Sequence, residues 1–391
     1  MQIAETPIPP RTLMGPGPSD VPDRVLKAMA KPTIGHLDPV FVEEMEAIKS
    51  LLRYAFQTEN RLTMPVSGPG TAGMETCVAN LIEPGDTMVV CQNGVFGGRI
   101  REMAVRCGAT VVDVEMPWGR AVDPAAVDEA LSQHPDAKVL AFVHAETSTG
   151  ALSDAETLAE TARSHDCLTL VDAVTSLGGV PLKVDDWGLD AVYSGSQKCL
   201  SCTPGLSPLT VSDRAVEAIQ SRETPVQSWF LDLSLVMDYW GGENGRSYHH
   251  TAPINALYGL RESLEILQEE GLEQSWQRHR DLHEALKAGL EALGLEFVVP
   301  EDERLPNLNA VTVPDGVDEA AVRSTLLHDY NLEIGAGLGD LSGTVWRIGL
   351  MGHSCRPKNV ERCITALGTV LAEEGADVNP QDAMDAVAIA E

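Results

Sequence analysis

Asp172 and Lys198 stand 26 residues apart, and each follows a short apolar run. Leu168-Thr-Leu-Val171 precedes the acid. Ala191-Val-Tyr193 and then Ser-Gly-Ser-Gln precede the lysine. A buried carboxylate is costly unless paired, and lysine is rarely fully buried. Taken singly, Asp172 reads as a helix cap, while Lys198 is either a surface lysine on a turn or a lysine whose small neighbours let another molecule approach. A third feature lies upstream, where Ser67-Gly-Pro-Gly-Thr-Ala-Gly73 enters a helical pattern. Backbone N–H groups at a helix start suit a phosphate, and no lysine follows in the register of a Walker loop. The lysine can form an imine, the acid can pair with a ring-nitrogen cation, and the turn can hold a phosphate. Together these are the parts that pyridoxal 5'-phosphate needs.

The elements that must position them alternate. Thr87–Cys91, Thr110–Val114, Val139–Val143, Cys167–Val171 and Ala191–Tyr193 are strand-like. Gly97–Cys107, Pro124–Gln133 and Ala155–His165 between them carry helical patterns, as do Pro39–Phe56 and Met74–Leu81. This alternation implies an α/β fold with a mainly parallel sheet covered on both faces. Ligands gather outside the carboxyl ends of such strands. Ala256–Gly294 reads as one long helix bridging two domains. Asn309–Val313 and Thr344–Ile348 read as strands, and Glu319–His328 and Asn359–Glu373 as helices, of a smaller α+β domain. The expected division is an extended N-terminal segment at 1–22 that contributes to the mouth of the site and to a subunit contact, a large domain at 23–285, a small domain at 286–374 and a mobile acidic tail at 375–391. Arg347 lies on the Thr344–Ile348 strand. It is either one half of an ion pair or a bidentate clamp on a carboxylate.

Composition excludes other classes. With 58 acidic and 28 basic residues the net charge is −30, which opposes nucleic-acid binding. So large a surplus suits a surface working in high salt, where repulsion is screened. No apolar run reaches membrane-span length, and Met1–Arg11 lacks the pattern of a signal peptide, so the cytoplasm is the expected compartment. The eight cysteines are irregularly spaced and read as free thiols. Cys199 and Cys202 form a lone C-x-x-C without the second pair that zinc requires. His249 and His250 are adjacent and expected to point apart, so no metal is assigned. His36 is expected at the mouth of the site or at a subunit contact.

The sequence resembles the class V aminotransferases of pyridoxal-phosphate fold type I, in particular the alanine–glyoxylate and serine–glyoxylate (serine–pyruvate) group. The resemblance rests on Gly15-Pro-Gly-Pro18, Ser67-Gly-Pro-Gly70, Glu83-Pro-Gly-Asp86, Asn93-Gly94, Ser148-Thr-Gly150, Val171-Asp-Ala173, Ser194-Gly-Ser-Gln-Lys198, Tyr248-His-His-Thr251 and Arg347-Ile-Gly349, in family order up to about Leu371. It implies a seven-stranded, mainly parallel sheet. It implies Lys198 as the Schiff-base lysine and proton shuttle, and Asp172 as the partner of the pyridinium. Val174 would pack on one ring face and Phe96, where relatives often carry tryptophan, would stack on the other. Pro69, Gly70, Thr71 and Gln197 would surround the phosphate, although Pro69 replaces a common serine and has no N–H to give. Thr147 would bond near the ring oxygen or substrate, and Arg347 would hold the substrate carboxylate. Tyr248 and Thr251 would reach the neighbouring subunit's phosphate, which implies a homodimer with shared sites.

The activity so implied is ping-pong transamination of alanine or serine with glyoxylate or pyruvate. Ureidoglycine or aminoethylphosphonate donors, or a lyase of the same fold, are the alternatives. A cysteine desulfurase would need a nucleophilic cysteine shortly before Arg347, and none occurs between Cys202 and Arg347.

Overall fold

The computed structural model describes residues 8–241 and 246–387. Residues 1–7 of the expected N-terminal segment and 388–391 of the expected tail lie outside the described residues.

Seven strands form the large sheet: β1 (Leu62–Ser67), β2 (Thr87–Gln92), β3 (Thr110–Glu115), β4 (Ala137–Val143), β5 (Leu168–Asp172), β6 (Ala191–Tyr193) and β7 (Leu206–Val211). Their spatial order is β1-β7-β6-β5-β4-β2-β3. Only β7 runs antiparallel to its neighbours. The expected α/β class and mainly parallel sheet are therefore present. β1 and β7 were not among the expected strands, because each carries a proline. Pro65 and Pro208 face each other across the pair. Pro65 lies on the edge strand, where a missing N–H costs no ladder bond. The Pro208 carbonyl still accepts from Ser194 N–H at 2.8 Å.

Helices α1 (Pro39–Phe56), α2 (Gly70–Leu81), α3 (Val95–Arg106), α4 (Pro124–Gln133) and α5 (Ala155–Ser164) connect or cover these strands. α2 begins four residues before the expected start, so the second half of the glycine-rich turn is already helix. β4, β5 and β6 are almost wholly buried apolar runs, as strands covered on both faces must be. In register, Asp172 lies beside Val143 on one side and Tyr193 on the other. The acid thus stands at the carboxyl edge of the sheet.

The expected single helix over 256–294 is two helices, α6 (Ile254–Glu270) and α7 (Leu272–Ala292). Gly271 breaks them at φ 89° and ψ 142°, a conformation open to glycine. Beyond them, β8 (Leu308–Thr312), β9 (Gly335–Ala336) and β10 (Val345–Gly349) form a sheet of order β8-β10-β9. α7, α8 (Glu319–Asp329) and α9 (Pro357–Glu373) supply the second core with Leu286, Leu326 and Leu367 around Trp346 and Ile348.

The N-terminal segment is less open than its prolines and glycines suggest. Thr12–Leu13 pairs in parallel with Leu332–Glu333, and Met14 is fully buried in the second core. The tail also differs from expectation. Pro380–Ala386 forms helix α10, capped by Asn379 and packed on α7 and α9. Ala383 is fully buried, and Thr365 Oγ1 donates to Met384 Sδ at 3.0 Å. Gly289 and Gly368 leave the room: a Cβ at either would meet Val387 at 2.9 Å or Pro380 at 3.2 Å.

Candidate active site

Lys198, Asp172 and Arg347 converge from different parts of the chain. Lys198 follows β6 and is only 9% exposed, so it is not a surface lysine. Its Nζ donates to the Pro16 carbonyl. Ser19 clamps the same stretch, its Oγ donating to the Lys198 carbonyl at 2.8 Å and its N–H to Gln197 O at 2.9 Å. The N-terminal segment therefore lies over the lysine. Gly17, at φ 104°, has no room for a side chain, because a Cβ would fall on the Lys198 stem. Burial lowers the Lys198 ammonium to about 8, with Arg347 adding to the fall and Asp172 opposing it.

Asp172 is buried and holds two hydrogen bonds. Oδ1 accepts from Val174 N–H at 2.9 Å and Oδ2 from Tyr193 Oη at 2.7 Å. Burial lifts its carboxyl to about 6, against the pull of Tyr193, Val174 and Lys198. A cation in this place would relieve that penalty.

Arg347 is 6% exposed, on the central strand of the small sheet. Nε donates to Ala336 O at 2.6 Å and Nη1 to Thr147 O at 3.0 Å. Among the described residues no acidic side chain forms an ion pair with it, so the ion-pair alternative is set aside. Burial lowers its pKa to about 10, with Glu146 as the opposing charge.

The remaining cofactor candidates surround this group. Pro69 is the N-cap of α2 and provides no side-chain cap, which leaves the helix start to another acceptor. Gly70 is buried against Val174: a Cβ there would lie 2.8 Å from Val174 Cγ2. Thr71 is exposed. Gln197 Oε1 is buried without a partner among the described residues. Phe96, on the first turn of α3, carries the Arg99 guanidinium 4.8 Å from its ring centre. Tyr248 (62% exposed) and Thr251 are exposed, unlike the buried Lys198 and Asp172.

The family model described as aminotransferase class-V matches residues 12–355. The chain belongs to the class V aminotransferases. Alanine–glyoxylate aminotransferase of Rattus norvegicus is 42% identical over 93% of this chain and 88% of its own length. The solved alanine–glyoxylate aminotransferase from Nostoc sp. is 50% identical with a TM-score of 0.92, covering 95% of this chain and 98% of its own. The ureidoglycine–glyoxylate aminotransferase structure from Bacillus subtilis is 39% identical with a TM-score of 0.95, covering 98% of both chains.

This aminotransferase uses pyridoxal 5'-phosphate, and the site fits it by its own geometry. The lysine with its lowered pKa suits an imine, the raised carboxyl suits a cation and the uncapped start of α2 suits a phosphate, and the cofactor carries a group for each. The spacing singles out neither Tyr193 nor Glu146, and both belong here. Glu146 is fully buried beneath Phe96. Its signal was faint: it is the one carboxylate between Val139 and Gly150.

His249 and His250 do not point apart as expected. Their Nδ1 atoms lie 2.9 Å from each other. His249 stacks flat on Trp229, with centroids 4.2 Å apart, while His250 Nε2 reaches Ser67 Oγ at 3.3 Å. His36 joins this aromatic group beside Tyr248, at 5.2 Å between ring centroids.

Proposed function

We propose that this enzyme moves the amino group of alanine or serine onto glyoxylate, with pyruvate as the second acceptor, in two half-reactions at one site. The observation that carries this reading is the burial of Lys198 beneath Pro16 and Gly17, where Nζ donates to the Pro16 carbonyl. Glyoxylate is named for both the rat and the Bacillus subtilis relatives. The latter's name keeps ureidoglycine as the alternative donor.

Bound pyridoxal phosphate would supply an electron-accepting ring and an aldehyde carbon that takes the amino group. The rest is the work of side chains. Arg347, held by Ala336 O and Thr147 O, presents its free edge to the donor's carboxylate. That fixes the donor so that its Cα–H faces Lys198. Lys198 Nζ takes this proton and returns it to the other side of the transfer, work worth roughly 10²–10⁴-fold. Its low pKa keeps part of the amine neutral and able to accept. Asp172 would pair with the protonated ring nitrogen of the bound cofactor. Gly70, Thr71 and Gln197 hold the phosphate, Val174 and Phe96 the ring faces, and Thr147 the ring oxygen or substrate.

The working unit in this reading is a cytoplasmic homodimer. Trp229 (61% exposed), Phe230 and Tyr248 are exposed apolar side chains packed beside His249, His250 and His36, a grouping that suits a covered surface. A second copy covering it would carry Tyr248 and Thr251 to the partner's phosphate. The acidic surface suits work at high salt. No helix among the described residues is long and apolar enough to cross a membrane.

A panel of amino donors against glyoxylate, with the keto acid product measured, tests the substrates. Pyruvate from alanine or hydroxypyruvate from serine is the expected product. Activity with ureidoglycine alone would overturn the assignment.

A further inference from the structure

We propose that Glu146 is a positioning residue that ties the aromatic ring face of the cofactor site to the substrate-carboxylate clamp. The proposal rests on the roles given above to Phe96 and Arg347.

The start of α3 is not capped locally. Gly94 occupies the N-cap and brings no side chain. Two residues from the loop after β4 do the capping instead. Glu146 Oε2 accepts from Phe96 N–H at 3.2 Å, and Ser148 Oγ accepts from Val95 N–H at 3.0 Å. The two caps are joined, because Glu146 Oε1 accepts from Ser148 Oγ at 2.6 Å and from Ser148 N–H at 3.0 Å. The fit is close enough to require glycine at 94. Its φ of 171° is ordinary extended backbone, but a Cβ would lie 2.6 Å from Glu146 Cγ and Cδ.

Thr147 sits between the two capping residues, and its carbonyl accepts from Arg347 Nη1 at 3.0 Å. One buried carboxylate therefore fixes the backbone N–H of Phe96 on one side. On the other it fixes the turn on which the arginine rests. Burial raises the Glu146 carboxyl, while Ser148 and Phe96 pull it down, and a helix start favours the charged form. Charge adds a second link, since Glu146 is the carboxylate that opposes the fall in the Arg347 pKa. A merely structural glutamate would hold the loop together without affecting where the ring and the guanidinium stand.

Glu146→Gln is the test. The amide has nearly the same shape but only one accepting oxygen. It must turn an N–H toward Phe96 or toward Ser148, and it carries no charge. Pyridoxal phosphate is titrated into the apoprotein, and visible circular dichroism is recorded on the loaded enzyme. Expected are a cofactor dissociation constant raised roughly tenfold or more, an altered dichroic band, and a donor KM raised more than kcat is lowered. Wild-type values for all three would overturn the proposal even if the variant melted earlier. Phe96→Ala supplies a second route if Glu146→Gln folds poorly, with Ser148→Ala as the milder change at the shared cap. Ser148→Ala should weaken the cofactor in the wild-type background and much less once Phe96 is alanine, and equal losses in both backgrounds would overturn the proposal. Failure of the underlying reading looks different: the wild-type apoprotein would not take up the cofactor, or borohydride reduction would attach it to a residue other than Lys198.

Discussion

Tyr193 Oη donates to Asp172 Oδ2 at 2.7 Å, between residues directly opposite on β6 and β5, with both side chains buried. The neighbouring strand thus supplies part of what the carboxylate loses on leaving water. It does not supply enough, since the Asp172 carboxyl still stands at about 6. The sign of the stability effect follows. A carboxyl raised in the folded state stabilises that state below its unfolded pKa, near 4, and this contribution is lost as pH rises through about 6. At pH 7.5 the apoprotein therefore carries a penalty that a bound cation removes. Asp172→Asn can keep both contacts, accepting from Val174 and donating to Tyr193. The expected result is an apoprotein more stable than wild type at pH 7.5, by up to about 3 kcal/mol, with the gain fading toward pH 4. Cofactor affinity falls at the same time. Denaturant unfolding of both apoproteins at the two pH values checks it; a less stable variant at pH 7.5 counts against the argument.

Lys198 attacks only as the neutral amine, and its pKa is lowered to about 8. The rate at which apoprotein takes up pyridoxal phosphate should therefore climb about tenfold per pH unit below 8 and level off above it. Stopped-flow absorbance follows this directly. A climb continuing to pH 10 would mean an unperturbed lysine. Lys198→Ala should leave no pyridoxyl group attached to the protein after borohydride reduction, and almost no turnover.

Lys198 was legible because a strand end, small neighbours and an acid 26 residues earlier coincide. The N-terminal segment was expected at the mouth of the site, but nothing in Gly15-Pro-Gly-Pro18 says that the Pro16 carbonyl itself meets the amine 182 residues away. Glu146 was missed for the same reason: its partners, 50 residues away on α3, are known only once β2 and β4 lie side by side. β1 and β7 were hidden by prolines that an edge position makes harmless. α10 was legible and overlooked: Pro380, Ala383, Met384 and Val387 repeat at helical spacing, but the acidic residues between them read as tail.

Arg347 should tolerate no substitute. Lysine keeps the charge but cannot bond Ala336 O and Thr147 O while offering two parallel donors to a carboxylate. Arg347→Lys is expected to lower kcat/KM for the donor roughly 10- to 100-fold, mainly through KM, with cofactor affinity little changed. Steady-state kinetics beside a cofactor titration checks this. Unchanged KM would remove the clamp role.

Helix α10 should contribute to stability without touching the chemistry. Ala383 is fully buried where α10 meets α7 and α9, so a carboxylate there has no water and no partner. Ala383→Glu is expected to cost about 2–4 kcal/mol and to lower the melting temperature by several degrees. Turnover per folded molecule at 25 °C should stay at the wild-type level. Thermal melts with an active-site titration test both halves, and an unchanged melting temperature would mean that α10 does not dock in solution.

The net charge of −30 sets up a contest that salt can decide. Exposed pairs such as Arg24–Glu269 and Arg106–Glu102 contribute little each and weaken as salt is added. Repulsion among the surplus acids weakens too, as the screening length falls from about 8 Å at 0.15 M to about 3 Å at 1 M. Acids outnumber bases two to one, so most acidic groups have no cation to lose and a neighbour of like charge to escape. Repulsion should dominate. The melting temperature is expected to rise steadily between 0.05 and 1 M potassium chloride, a salt chosen because its effect on apolar burial is small. A fall over that range would show that the pairs outweigh the surplus and would count against a surface adapted to high salt.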